Sequence, residues 1–150
     1  MVSFAQIGLQ EHAPRMIGNA AVIINGYSQY PGVEEQIEKI RKFTEKIGYQ
    51  GFAEFDMKYD ARDGKYKVME INARQGRCSY YITPAGFNLI ELLYKDLIEG
   101  KELKYKICDK EVLETFVPKC VVKKYITNEE FKKKALSCLL YTSDAADDKA

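Results

Sequence analysis

"GFAEFDMKYDARDGKYKVMEINARQGR", residues 51–77, decides how this chain folds. Residues 51–59 and 65–72 alternate in the manner of strands, and "DARDG" between them is turn chemistry, so the stretch reads as a β-hairpin. A three-residue loop, Arg62 to Gly64, with the glycine in the left-handed region, is the expected closure. Side chains alternate faces along a strand, which puts Glu54 and Asp56 on one face and Glu70 and Asn72 on one face of the return strand. With that loop, Asp56 falls opposite Glu70 and Glu54 opposite Asn72. Directly opposed residues bring their Cβ atoms to about 4.5–5.5 Å, where two carboxylates repel unless a cation lies between them.

The donors available there are carboxylate and amide oxygens, with neither imidazole nor thiolate beside them. Such a set selects a hard ion, Mg²⁺ or Mn²⁺, and magnesium usually shares its shell with substrate phosphates. Arg74 and Arg77 follow at once, around Gly76, and offer planar donor forks for phosphate or carboxylate oxygens. The same pattern also fits a surface hairpin whose acids pair with Lys58, Lys67 or the arginines and contribute little. An E-x-N pair by itself is a weak motif, so from geometry alone both readings stand. Asp60 and Asp63 read as turn formers.

Upstream, "VSFAQIGLQ" reads as a strand entering a Pro/Gly loop, and "AAVIIN" as a buried strand. In "YPGVEEQIEKIRKFTEKIGY", Val33, Ile37, Ile40, Phe43 and Ile47 recur at helical spacing, with Pro31 and Gly32 before them and Gly48 as a stop. Downstream, residues 87–100 read as a second amphipathic helix ended by Gly100. "VLETFVPKCVVKKYI" suggests β structure interrupted at Pro118, and "TNEEFKKKAL" a helix opened by a capping box from Thr127 to Glu130. His12, in the loop after Glu11, reads as an ordinary hydrogen-bonded residue, with a substrate-side role as the alternative.

The 150 residues suit one domain or part of a larger one, and 46% hydrophobic with 30% charged residues fits a globular protein. A formal charge of +1 gives no electrostatic case for nucleic acid or a membrane surface as partner, so an anionic ligand would be held by local charges. Cys78, Cys108, Cys120 and Cys138 are scattered, and with a single histidine they make a zinc site unexpected; reduced, mostly packed thiols are expected instead. No apolar run reaches the length of a bilayer span, and a cytoplasmic protein is the expectation.

The stretch from Gly51 to Leu89, "GFAEFDMKYDARDGKYKVMEINARQGRCSYYITPAGFNL", with "LQEHAPRMIGN" before it and "LIEGKELKYKI" after it, resembles the C-terminal core of ATP-grasp carboxylate–amine ligases, above all the branch that contains D-aspartate ligase of peptidoglycan cross-bridge synthesis. The likeness covers roughly residues 4–136, and the long hairpin ending in E-x-N-x-R-x-x-R is its specific element. It implies an α+β fold, the C-terminal part of an ATP-grasp domain over residues 1–136, with an antiparallel sheet and a long hairpin flanked by helices. It further implies Asp56, Glu70 and Asn72 as ligands of Mg²⁺ (or Mn²⁺), Glu70 bridging two ions, and Arg74 and Arg77 binding the transferred phosphate and an acyl phosphate. The implied chemistry is phosphorylation of a carboxylate by ATP and capture of the acyl phosphate by an amine, in a site closed against water.

Family members carry an α/β domain and most of a lid, with the ATP-holding lysine, ahead of the region matched here. The expectation is therefore the metal-binding half of an active site with negligible ligase activity of its own. The tail "CLLYTSDAADDKA" breaks with the preceding pattern, and "CLLYTSDAADD" resembles one reading frame of a transposon-derived sequencing adapter. Residues 137–150 are accordingly set apart as artefactual. The remaining alternatives are an ATP-grasp ligase for another amino acid or a carbamoyl phosphate synthetase-like domain, or a noncatalytic metal- or nucleotide-binding module. The pattern carries no signal for oligomeric state.

Overall fold

A computed structural model describes residues 1–10, 19–25 and 32–137. His12, Pro31, Cys138 and the adapter-like run from Cys138 onward lie outside the described residues. The elements in order are β1 (Val2–Ser3), β2 (Ala5–Gln10), β3 (Ala20–Asn25), α1 (Val33–Lys46), β4 (Glu54–Asp60), β5 (Lys65–Asn72), a 3-10 turn (Tyr80–Ile82), α2 (Leu89–Leu97), β6 (Ile107–Cys108), β7 (Val112–Thr115), α3 (Lys119–Tyr125) and α4 (Glu129–Ser137). The class is α+β, as expected. The strand pairing is mixed: β2-β3-β7 and β4-β5 are antiparallel, whereas β1 and β6 pair in parallel through Val2–Ile107 and Ser3–Cys108. No helix among the described residues is long and apolar enough to cross a membrane.

The centre is β3, whose "AAVIIN" is apolar on both faces because both faces are covered. Val22 and Ile24 join Leu113 of β7 against Val122, Ile126, Phe131 and Ala135 of the two C-terminal helices. Ile23 points the other way, into Tyr81, Ile82 and Cys108. Each aliphatic side chain so buried contributes about 1.5–3 kcal/mol.

Three expectations change here. "VSFAQIGLQ" is two strands in two sheets, divided at Phe4. "KCVVKKY" is helical rather than β: Pro118, extended at φ −62°, starts α3. Val122 within the helix and Ile126, extended just after it, are both buried in the same cluster, and that burial overrides the strand preference of β-branched residues. The cap of α4 is Asn128, whose Oδ1 accepts the Phe131 N–H at 2.9 Å, in place of the box expected from Thr127. Of the thiols, Cys108 is buried and Cys78 half-buried, but Cys120 is exposed, and all three are free. The helix α1 runs as expected, and α2 is shorter than its pattern, with Asn88 as cap.

Tyr81 ties the 3-10 turn to β1, its hydroxyl lying 3.0 Å from Ser3 Oγ. Burial pushes its phenol up to about 12, against the opposing pull of the Ser3 hydrogen bond. A folded-state value above the ordinary one near 10 means stability that is complete below about pH 10 and declines as pH rises toward 12. The variant Y81F is expected to lose about 1 kcal/mol at pH 7 from the missing hydrogen bond. Its denaturant midpoint should then fall less steeply than the parent's between pH 10 and 12; parallel declines would refute the assignment.

Candidate functional site

The hairpin pairs Asp56 with Glu70 and Glu54 with Asn72. It reaches that register by a different route from the expected one. Asp60 pairs with Lys65, so the loop has four residues, Ala61 to Gly64, with Asp63 N–H and Gly64 N–H both donating to the Asp60 carbonyl. Gly64 takes the left-handed conformation, φ +68°, that closes it. The extra loop residue would put Asp56 opposite Met69 and turn Glu70 to the other face. A β-bulge between the Asp56 and Met57 pairs, with Val68 rather than Met69 opposite Met57, restores the pairing.

Asp60 and Asp63 are turn formers, accepting from the Arg62 and Lys65 N–H groups at 3.1 Å each. They also engage the nearby cations: Arg62 bridges to Asp60 at 2.8 Å and Lys67 pairs with Asp63. Lys58 lies opposite Lys67. Among the described residues, the side chains of Asp56 and Glu70 have no hydrogen bond or ion pair, so the surface ion-pair reading of these two acids lacks its partners.

Glu54 belongs to the same face, although the sequence reading left it out of the ligand set. Burial raises its pKa, the charges of Asp56 and Glu70 raise it further, and the guanidinium of Arg74 pulls it back. Its carboxylate lies against the bare Cα of Gly76: a Cβ built there would stand 2.2 Å from Glu54 Oε1. The alternation of "EFD" was the available signal, since Glu54 must share the face of Asp56.

Arg74 thus stands close enough to act on the hairpin's charges, while both arginines remain exposed. Arg77 has no hydrogen bond or ion pair among the described residues, and its charge acts on the neighbouring Cys78. The loop between Asn72 and the 3-10 turn is cross-tied: Gln75 Nε2 donates to Ser79 Oγ at 2.9 Å, and Ser79 Oγ donates to the Gly76 carbonyl at 3.0 Å. Cys78 fastens it to β3, with Sγ 3.6 Å from the Ala20 carbonyl. No group of three or more His, Cys, Asp or Glu side chains is gathered for a metal among the described residues. Two unpartnered carboxylates with an amide on the same face fit a hard ion only where phosphates and waters complete its shell.

The chain is 42% identical over 132 residues, 85% of its length, to the D-aspartate ligase of Enterococcus faecium (strain Aus0004). Over that stretch its similarity is to a D-aspartate ligase, an enzyme of the ATP-grasp family. It spans 30% of the length of that ligase. No family model matches the chain, and no solved structure matches it. The resemblance drawn from the hairpin and its arginines therefore meets a D-aspartate ligase across most of this sequence.

Gly76 supplies a test of the crowding around Glu54. The nearest atoms in the way of a Cβ belong to the end of a flexible side chain, so G76A should fold with a melting temperature within a few degrees of the parent. The displaced Glu54 should press on Arg74 and lower pyrophosphate affinity severalfold by calorimetry. Unchanged affinity would show that the close approach has no bearing on anion binding.

Proposed function

We propose that this chain carries the metal- and phosphate-binding part of an ATP-dependent carboxylate–amine ligase acting on D-aspartate. The observation that carries the reading is the opposition of Asp56 and Glu70, their side chains unpaired, with Asn72 on their face and Arg74 close enough to act on the neighbouring Glu54. The similarity to a D-aspartate ligase supports the reaction class and suggests the substrate. In this reading Asp56, Glu70 and Asn72 would hold Mg²⁺ (or Mn²⁺). The ion would neutralise charge on the phosphates of ATP.

The arginines have the complementary task. Arg74 and Arg77 bind the phosphoryl group in flight and then the acyl phosphate of the carboxylate substrate, both carried on the cross-tied loop. The amine attacks the acyl carbon, the C–O bond to phosphate breaks, and the amide leaves with ADP and phosphate as co-products. Phosphoryl transfer depends chiefly on positioning and charge compensation, which is what this set of side chains can provide. We assign residues 1–136 to an ATP-grasp domain and set 137–150 apart from it, noting that α4 includes Ser137. A cytoplasmic role in peptidoglycan cross-bridge synthesis completes the proposal. The chain alone is expected to bind metal and phosphate without turning over.

The hairpin acids give this reading a test with a distinctive sign. Removing one of two opposed, repelling carboxylates relieves strain, so E70Q and D56N should be as stable as the parent, or slightly more so, without metal. Both should lose the thermal stabilisation that Mn²⁺ gives the parent, and Mn²⁺ affinity by electron paramagnetic resonance should fall at least tenfold. Parent-like Mn²⁺ affinity in both variants would sink the assignment.

A further inference from the structure

We propose that Glu114 is a positioning residue for the phosphate-binding arginines, acting through the 3-10 turn that ends their loop. The inference rests on the reading of Arg74 and Arg77 given above. A loop that presents two cations to a ligand is only as well placed as its two ends. One end of this loop is Asn72, held by the hairpin ladder. The other is the turn Tyr80–Ile82, three residues beyond Arg77.

Glu114 lies on β7, paired with Ile23 of β3, and is 7% exposed. Its carboxylate is aimed at the turn. Oε2 accepts the Tyr81 N–H at 3.2 Å, and the neighbouring Tyr80 N–H also acts to lower the carboxyl's pKa. An acid is a costly choice for that position, since a leucine or valine would bury there without desolvating a charge. Burial does push the Glu114 carboxyl above its ordinary range, and the two peptide N–H groups only partly reverse the effect. What an aliphatic side chain could not provide is a directional bond to a peptide of the turn, which fixes the turn's orientation as well as its position. Tyr81 O–H against Ser3 and Cys78 against Ala20 supply further ties, so the arginine loop is referenced to the central strands on several sides.

If reach is what matters, the conservative variants should separate. E114D keeps the charge but draws the carboxylate back by about 1.5 Å, one C–C bond. E114Q keeps the reach and an acceptor but loses the charge. Using the full 150-residue chain, E114D is expected to weaken pyrophosphate binding at least tenfold while leaving Mn²⁺ affinity within twofold, and E114Q to stay within threefold of the parent on both. Parent-like pyrophosphate binding in E114D overturns the proposal. So does an equal loss of both ligands, which would mark Glu114 as scaffold only, or an E114Q that binds as poorly as E114D. A control separates this from the arginine reading. Should the parent fail to bind pyrophosphate, or R77A bind it as well as the parent, the arginine assignment falls and Glu114 is judged by hydrogen exchange. Tyr81 N–H should then exchange at least a hundredfold faster in E114D than in the parent, and equal rates would end the proposal.

Discussion

Asp56 and Glu70 face one another across an antiparallel ladder with no partner among the described residues to neutralise either. Like charges directly opposed weaken a hairpin, so something else must hold this one in register. The reverse face does so. Phe55 and Ile71, Met57 and Val68, Tyr59 and Tyr66 are cross-strand pairs there. The Tyr59 and Tyr66 rings lie 5.2 Å apart, Phe43 of α1 meets Phe55 edge-on at 6.5 Å, and Phe4 meets Tyr66 at 5.8 Å. Aromatic pairs of this kind add about 0.5–1.5 kcal/mol beyond their burial, enough to offset an exposed repulsion. One face supplies the stability and the other is left free to carry charge.

That division extends to the arginine loop. It leaves β5 at the end of the hairpin, yet its far end is fixed to two other sheets, through Ala20 and Glu114 in one and Ser3 in the other. The central strand β3 is the common reference: its outer face packs on α3 and α4, and its inner face carries the turn that follows Arg77. The close approach of Glu54 to Gly76 then joins hairpin and loop directly. Hairpin acids and loop cations are placed by separate supports that meet at one contact.

Much of this was legible in local sequence, because the period of two along residues 51–72 dictates which side chains share a face. The opposition of Asp56 and Glu70 was nonetheless reached through compensating differences. A loop one residue longer than expected and a bulge at Met69 cancel, and a bulge has no signature in the alternation until the partner strand is known. The helix after Pro118 was missed for a related reason: Val122 and Ile126 read as strand residues until the sheet face that buries them is in view. Glu114 was beyond local pattern altogether. Its partners lie 33 residues earlier in the chain, and nothing in "VLETF" distinguishes a buried acid from an exposed one.

The donor set itself constrains how the site would work. Two carboxylates and one amide, one oxygen each, fill only half of the octahedral shell that magnesium demands. Waters complete it weakly and phosphate oxygens complete it well, so a metal held by Asp56, Glu70 and Asn72 as proposed would gain most of its affinity when a polyphosphate is present. The converse holds by linkage: the polyphosphate binds better with the metal in place, by the same factor. Arg74 reinforces the coupling, because it acts on the charge of Glu54 on the hairpin's polar face and offers its donors to an arriving anion. In the proposed reading metal, phosphate and arginine would therefore form one cooperative unit in which none is fully held without the others.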